Sequence, residues 1–118
     1  MEKFFIELPL TGEYLTTVRL TTGGLCALAG FDVDATEDYK VCVTESLLIL
    51  KRNGYTRASI VFTVGEALGA KICGKDAGGA GEESFEDEIS KALLSALLGK
   101  VEFACDAQGK VQSIVFEG

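Results

Sequence analysis

Glu45 lies among apolar residues in the run TESLLILKR (44–52), and Ile49 follows it four positions later. A glutamate in such surroundings could act as a general base, provided that a bound substrate offers it a proton to abstract. A single glutamate on a helix is more commonly a solvated surface charge. The run therefore allows two interpretations of Glu45, a catalytic base or a surface carboxylate, and its residues alone favour the second.

The glycine-rich segment GKDAGGAG (74–81) is the other stretch that could do chemistry, because it follows a predicted strand and precedes a predicted helix. Backbone N–H groups in such a loop can bind phosphate. The segment lacks the GK[ST] ending of a P-loop, and nearby carboxylates would repel a triphosphate. These carboxylates are Glu82, Glu83, Glu86, Asp87 and Glu88. A flexible connection between hairpin and helix is the favoured interpretation.

Residue types exclude several other kinds of site. The chain has no histidine, which rules out Ser-His and Cys-His catalysis and argues against zinc. The four cysteines are far apart, form no CxxC motif and have apolar neighbours, as buried thiols do. They are Cys26, Cys42, Cys73 and Cys105. We therefore predict reduced core cysteines in a cytoplasmic protein, with no metal site.

Length and charge restrict the partners. A chain of 118 residues is expected to form a single domain (1–118) with one core. Its net charge of -7 argues against nucleic acid and anionic membranes as partners and favours a protein partner. The N-terminal apolar run is short and is broken by Glu7 and Pro9, so neither a signal peptide nor a membrane span is expected.

The order of elements predicts how these residues are positioned. The pattern indicates a two-layer α/β sandwich, with one mixed β-sheet covered on one face by three helices. The predicted order is β-α-α-β-β-α-β-β: a strand at 3–9, helices at 11–29 and 34–53, strands at 57–64 and 67–74, a helix at 84–98, and strands at 100–106 and 110–117. Asp34 with Glu37, and Ser84 with Asp87, have the spacing of helix N-terminal capping boxes.

Apolar spacing predicts which faces point inward. In the second predicted strand, RASIVFTV (57–64), the residues Ile60, Phe62 and Val64 alternate with Ser59 and Thr63. The inward stripe of the last helix is predicted to comprise Phe85, Ile89, Leu93 and Ala96. The inward face of the second helix is predicted to comprise Tyr39, Cys42, Val43, Leu47 and Leu50.

The second helix also has apolar residues outside that face, namely Val41, Leu48 and Ile49. A helix that is apolar nearly all round is either covered on two sides or offers its outer side to a partner. Exposed apolar surface of this kind commonly marks an interface, so we predict a homodimer or a protein complex rather than a lone monomer.

Four stretches carry a resemblance to a known family: YLTTVRLTTGGLCALAGF (14–31), EDYKVCVTESLL (37–48), ICGKDAG (72–78) and LLSALLGKVEFACDAQGKVQSIVFEG (93–118). In wording and order they resemble the anti-sigma-factor serine/threonine kinases of the histidine-kinase-like ATPase superfamily. The resemblance implies the fold of that superfamily and, for relatives of this type, pairing as dimers.

The resemblance also implies roles for individual positions. Glu45 stands where the family has the glutamate that activates a nucleophile, and Ile49 stands where it has the asparagine that holds magnesium. An alkyl side chain offers no oxygen to Mg²⁺, which demands oxygen ligands. Asp76 and Gly78 match the residues that hold adenine, but only about eight residues separate Asp76 from the next helix, too few for the family's nucleotide lid. We therefore predict a vestigial base, a vestigial adenine site and no metal.

Three functions remain in competition. The favoured one is a non-catalytic regulator that binds another protein, for which the resemblance suggests a sigma factor or an anti-anti-sigma factor. The second is an ATP-dependent serine/threonine kinase that uses ATP and magnesium through an atypical metal site. The third is a small-molecule sensor that uses the former nucleotide cleft, lined by Ile49 and its neighbours.

Overall fold

The computed structural model describes residues 2–78 and 85–118, and its elements follow the predicted order. The glycine-rich residues 79–81, Glu82, Glu83 and the predicted cap Ser84 lie outside the described residues. The elements are β1 (Glu2–Pro9), α1 (Gly12–Leu28), α2 (Val33–Arg52), β2 (Tyr55–Val64), β3 (Leu68–Ala77), α3 (Phe85–Leu98), β4 (Val101–Cys105) and β5 (Val111–Glu117).

The five strands form one sheet in the order β1-β2-β3-β5-β4, and every neighbouring pair is antiparallel. The prediction of a mixed sheet was wrong in this respect. The chain leaves β3, passes through α3 and enters β4, which runs in the same direction as β3. Because β5 lies between β3 and β4, these two parallel strands never pair with each other.

The sheet has one covered face and one open face, as predicted for a two-layer sandwich. Ile60 and Phe62 of β2, and Ile72 of β3, are fully buried on the helix-covered face. Their alternating neighbours, such as Thr63 and Lys71, lie on the other face, which no helix in the described part of the chain covers. Val64, also predicted to point inward, is only half-buried, because it lies at the end of the hairpin.

Helix α2 is the central helix, since it contacts α1, α3 and the sheet. The face predicted to point inward is buried at all five positions: Tyr39, Cys42, Val43, Leu47 and Leu50. Ile49 is also fully buried, so the helix is covered on two sides. The surplus apolar residues of α2 therefore give no support to a homodimer. Within residues 2–78 and 85–118, no helix combines the length and the apolar character that a membrane span requires.

The ends of α2 show how local residues set its limits. Asp32, rather than the predicted Asp34, is the N-cap, and its carboxylate accepts a hydrogen bond from the backbone N–H of Ala35 at 2.7 Å. Asp34 instead lies in the first turn. The predicted stop at Asn53 and Gly54 is confirmed, and Gly54 has a φ of 95°, which glycine adopts without strain.

Helix α3 is turned the opposite way from the prediction. Phe85 and Ile89, predicted to point inward, are 79% and 54% exposed. Ala96 is exposed and Leu93 is half-buried. The buried residues of α3 are Asp87, Ser90 and Leu94. The prediction failed because polar partners on α2 hold two of these side chains, as described below.

The four cysteines are free thiols, but they are not all core residues. Cys26 and Cys42 are buried as predicted, whereas Cys73 is half-buried and Cys105 is exposed on the edge strand β4. Burial raises the pKa of Cys42 to about 12, and the carboxylates of Asp38 and Glu45 add to this effect. The Cys42 thiol is therefore protonated at neutral pH and is not a nucleophile.

A thiol titration is expected to separate these cysteines. In the native protein a disulfide reagent such as DTNB should modify Cys105 first, because its side chain is exposed, whereas Cys26 and Cys42 should react at least about a hundredfold more slowly. All four should react rapidly in denaturant. Cys105→Ser should remove the fastest phase, and survival of that phase in this variant would contradict the assignment.

Candidate functional site

Glu45 is not a solvated surface charge. Its side chain is 25% exposed, and its Oε2 atom accepts a hydrogen bond from the hydroxyl of Ser90 on α3 at 2.7 Å. The same oxygen lies 3.9 Å from Nη2 of Arg52. The interpretation that the residues alone favoured was therefore wrong, because α3 packs directly on the face of α2 that carries Glu45.

Arg52, in the last turn of α2, is the centre of these contacts. Its Nη1 atom donates to Oδ1 of Asp87 at 2.6 Å, and both terminal nitrogens lie 3.2 Å from the Ser90 hydroxyl. Its Nε atom lies 3.5 Å from the exposed carboxylate of Glu86. Asp87 is 1% exposed, so its charge depends on this guanidinium for compensation.

Asn53 connects the same group of side chains to the sheet. Its side-chain N–H donates to Oδ2 of Asp87 at 2.8 Å and to the carbonyl of Ile49 at 2.7 Å. Its side-chain oxygen accepts from the backbone N–H of Val111 in β5 at 3.1 Å. We call Glu45, Arg52, Asn53, Asp87 and Ser90 the Arg52 cluster. It joins α2, α3 and β5 through polar contacts.

Of the residues in the Arg52 cluster, only Glu45 was predicted from the sequence as a candidate site residue. A signal was present, because Asp87, Ser90 and Leu94 are spaced by three and four residues and so share one helix face. The more apolar stripe on the opposite face of α3 outweighed it. Arg52 and Asn53 gave no signal beyond their position at the end of a helix.

Ile49, at the position of the family's magnesium-binding asparagine, is fully buried in the core. It offers no oxygen ligand and lines no cleft open to solvent. Glu45 is already engaged by Ser90 and Arg52. Among the residues that the structure describes, no group of three or more potential ligand side chains is placed to hold a metal ion. The side chains at these positions do not fit magnesium.

Asp76 lies near the end of β3, and Gly78 follows the strand. Asp76 is exposed and has a φ of 53°, and its carbonyl accepts hydrogen bonds from the Thr56 hydroxyl and the Gly78 N–H, both at 2.8 Å. Gly74, the first glycine of the segment, makes room for the ring of Tyr55, since an added Cβ would lie 2.5 Å from its Cγ. That glycine therefore has a structural role of its own.

A depression of about 700 Å³ lies elsewhere, on the open face of the sheet. Its lining includes Lys3, Val61, Lys71 and Val115. It is separated from Ile49 by the sheet, so it does not correspond to the cleft of the small-molecule-sensor hypothesis.

Comparison with known proteins finds relatives that are named as serine-protein kinases. The chain is 30% identical over 94 residues to the "Serine-protein kinase RsbW" of Staphylococcus epidermidis, which covers 75% of this chain and 57% of the relative. It is 37% identical over 46 residues to the protein of the same name from Listeria monocytogenes serotype 4b, covering 39% of this chain and 29% of the relative. No family model matches the chain.

The chain thus spans less than two thirds of the length of these relatives. The longer match nevertheless extends over most of the chain, and the order of helices and strands agrees with the order that the resemblance implied. The family predicted from the four stretches of sequence is confirmed: this chain is a homologue of the serine-protein kinases named RsbW.

Proposed function

We propose that this chain is a regulatory protein of the anti-sigma type that binds another protein and does not transfer phosphate. The observation that carries the proposal is the packing of α3 on the face of α2 that bears Glu45. The Ser90 hydroxyl donates a hydrogen bond to the Glu45 carboxylate, and Ile49 is part of the core. A nucleotide phosphate would need that face of α2 to be open.

Electrostatics supports the same proposal. Three carboxylates, Glu45, Glu86 and Asp87, surround the single guanidinium of Arg52 within 4 Å. The cation is thereby neutralised, and the group keeps excess negative charge. A triphosphate brought to this position without magnesium would be repelled. Phosphoryl transfer depends on cations that neutralise the phosphates, and no cation remains available within the Arg52 cluster.

A second candidate function is an ATP-dependent serine/threonine kinase with an atypical metal site. The printed name of the relatives, serine-protein kinase, favours it. Glu45 would then be the base, and Asp76 and Gly78 would hold adenine, as the resemblance implies. We rank this candidate second because it requires α3 to leave the Arg52 cluster and a metal ligand from a residue other than Ile49.

The partners and the location are part of the proposal. A sigma factor or an anti-anti-sigma factor is the proposed kind of protein partner, and a homodimer is the proposed state of the chain. The net charge of -7 supports a protein partner over nucleic acid or an anionic membrane. Free thiols at all four cysteines agree with the proposed cytoplasmic location.

Isothermal calorimetry with Mg-ATP tests the proposal. We expect no magnesium-dependent heat at millimolar nucleotide, and no phosphate transfer to protein substrates. Losing the metal contact should cost nucleotide binding several kcal/mol. Glu45→Gln and the exposed Asp76→Asn are the matched variants, and neither should change the result. A saturable signal that requires magnesium and is weakened by either substitution would overturn the proposal in favour of the kinase.

A further inference from the structure

Helix α3 has an apolar stripe that faces solvent. Phe85, Ile89, Ala92 and Ala96 are spaced by four, three and four residues, which places them along one face of the helix. All four are exposed, and the two large side chains, Phe85 and Ile89, are 79% and 54% accessible. Single exposed apolar residues are ordinary, but four in one helical row form a continuous surface. We call these four residues the α3 stripe.

The Arg52 cluster fixes the outward orientation of the α3 stripe. Turning α3 to bury Phe85 would separate Asp87 from Arg52 and Asn53. It would also break the contact of Ser90 with Glu45. An unpaired carboxylate that remains buried is strongly unfavourable. The packing of α3 therefore requires the stripe to face solvent, and this orientation keeps the polar contacts of Asp87 and Ser90.

Charges beside the α3 stripe indicate the chemistry of what covers it. On a helical projection, Glu86 lies on one side of the stripe and Glu88 on the other, and both are exposed. Two cations lie near these glutamates: Arg52, whose Nε is 3.5 Å from the Glu86 carboxylate, and Lys91, whose Nζ lies 5.8 Å from the centre of the Phe103 ring, toward β4. Glu86 keeps a side chain that is 76% exposed, so its carboxylate is still accessible to a partner. The N-terminal half of the stripe thus has an acidic border on both sides.

We propose that the α3 stripe is a docking surface for an amphipathic helical segment of another protein that carries basic residues beside its apolar face. This inference rests on the proposed function and names the surface through which it acts. Phe85 and Ile89 would bury their side chains against the partner's apolar face, while Glu86 and Glu88 would pair with its lysines or arginines. Two copies of this chain meeting at their stripes would bring four glutamates together, which disfavours self-association here.

The same charges argue against other macromolecules. An anionic membrane or a nucleic acid would be repelled by Glu86 and Glu88 and by the excess negative charge of the chain. Leu20 and Leu28 of α1, 73% and 75% exposed, serve as matched controls, because they are as accessible as Phe85 but lie on a different helix.

The test uses a fluorescein-labelled synthetic peptide of leucine and lysine, about 18 residues or five helical turns long, patterned as an amphipathic helix. Its affinity for the intact chain is measured by fluorescence anisotropy. Phe85→Ser with Ile89→Ser should weaken binding at least about tenfold, because the apolar contact is lost. Glu86→Gln with Glu88→Gln should weaken it severalfold at low salt and reduce its salt dependence. Leu20→Ser with Leu28→Ser should leave binding unchanged.

Several outcomes would overturn the inference. One is no binding of the peptide, or equal binding of a scrambled peptide or of an anionic vesicle. Another is an equal loss in the Leu20→Ser, Leu28→Ser variant, which would indicate nonspecific apolar contact. A third is a fall from dimer to monomer mass by light scattering in the Phe85→Ser, Ile89→Ser variant, which would make a second copy the occupant. Circular dichroism checks that each variant is folded. If the chain binds neither the peptide nor Mg-ATP, this surface is rejected but the proposed function stands. If the chain binds Mg-ATP, the proposed function itself is rejected.

Discussion

Replacing Arg52 by alanine is expected to lower the free energy of unfolding by about 3 kcal/mol, because it leaves a buried carboxylate without its cation. Asp87 is 1% exposed, and its Oδ1 atom accepts from Arg52 at 2.6 Å. The remaining hydrogen bond from Asn53 does not neutralise the charge. Urea denaturation followed by circular dichroism measures the change. The loss should lie at the low end of the range that is usual for broken buried ion pairs, because the Arg52 side chain is 21% exposed.

The exposed pair between Lys40 and Glu37 provides a matched control. Its atoms approach to 3.2 Å, but the Glu37 side chain is 57% exposed. Lys40→Ala should therefore change stability by about 0.5 kcal/mol or less. A double-variant cycle that combines Arg52→Ala with Asp87→Ala should show coupling. The double variant should lose less unfolding free energy than the sum of the two single losses. A loss below about 1 kcal/mol for Arg52→Ala would mean that Asp87 is not held by Arg52 in solution.

The Ile49→Asn variant is expected to lose about 4 kcal/mol or more of unfolding free energy. Ile49 is fully buried, so the substitution removes an apolar side chain from the core and also places an amide there without an assured partner. Thermal and urea unfolding measure the loss. Restoring the family's residue type at this position should give no binding of Mg-ATP, since α3 still occupies the face beside Glu45.

Ile49→Ala separates the two contributions to this loss. It should cost about 2 to 4 kcal/mol, the effect of lost apolar burial alone, and the difference from Ile49→Asn reports the buried amide. If the free energy of unfolding of Ile49→Asn is within about 1 kcal/mol of that of the natural protein, position 49 accepts a polar group. That result would favour the kinase with an atypical metal site.

The core face of α2 could be derived from the sequence because its apolar residues recur at helical spacing. The face that was predicted for Tyr39, Cys42, Val43, Leu47 and Leu50 is the buried one. Alternation likewise identified Ile60 and Phe62 as inward residues of β2. In both cases the residues that share the buried face are close in sequence, so a local pattern contains the information.

The position of α3 could not be derived in this way. Its apolar row, Phe85 to Ala96, predicted an inward face that the structure turns to solvent. The deciding contact joins Arg52 and Asp87, which are 35 residues apart. Spacing within α3 contains no information about a partner on α2. For the same reason the residues around Glu45 predict a solvated charge, whereas Ser90, 45 residues away, donates a hydrogen bond to it.

The sequence by itself determined the number, order and type of the elements, the family to which the chain is related, and the loss of the oxygen ligand at position 49. Tertiary structure alone decided that β5 lies between β3 and β4, that the Arg52 cluster fills the face beside Glu45, and that the α3 stripe is exposed. The physical reason is that helix and strand patterns arise from neighbouring residues. The pairing of strands and the compensation of the buried charge of Asp87 arise only when distant segments meet.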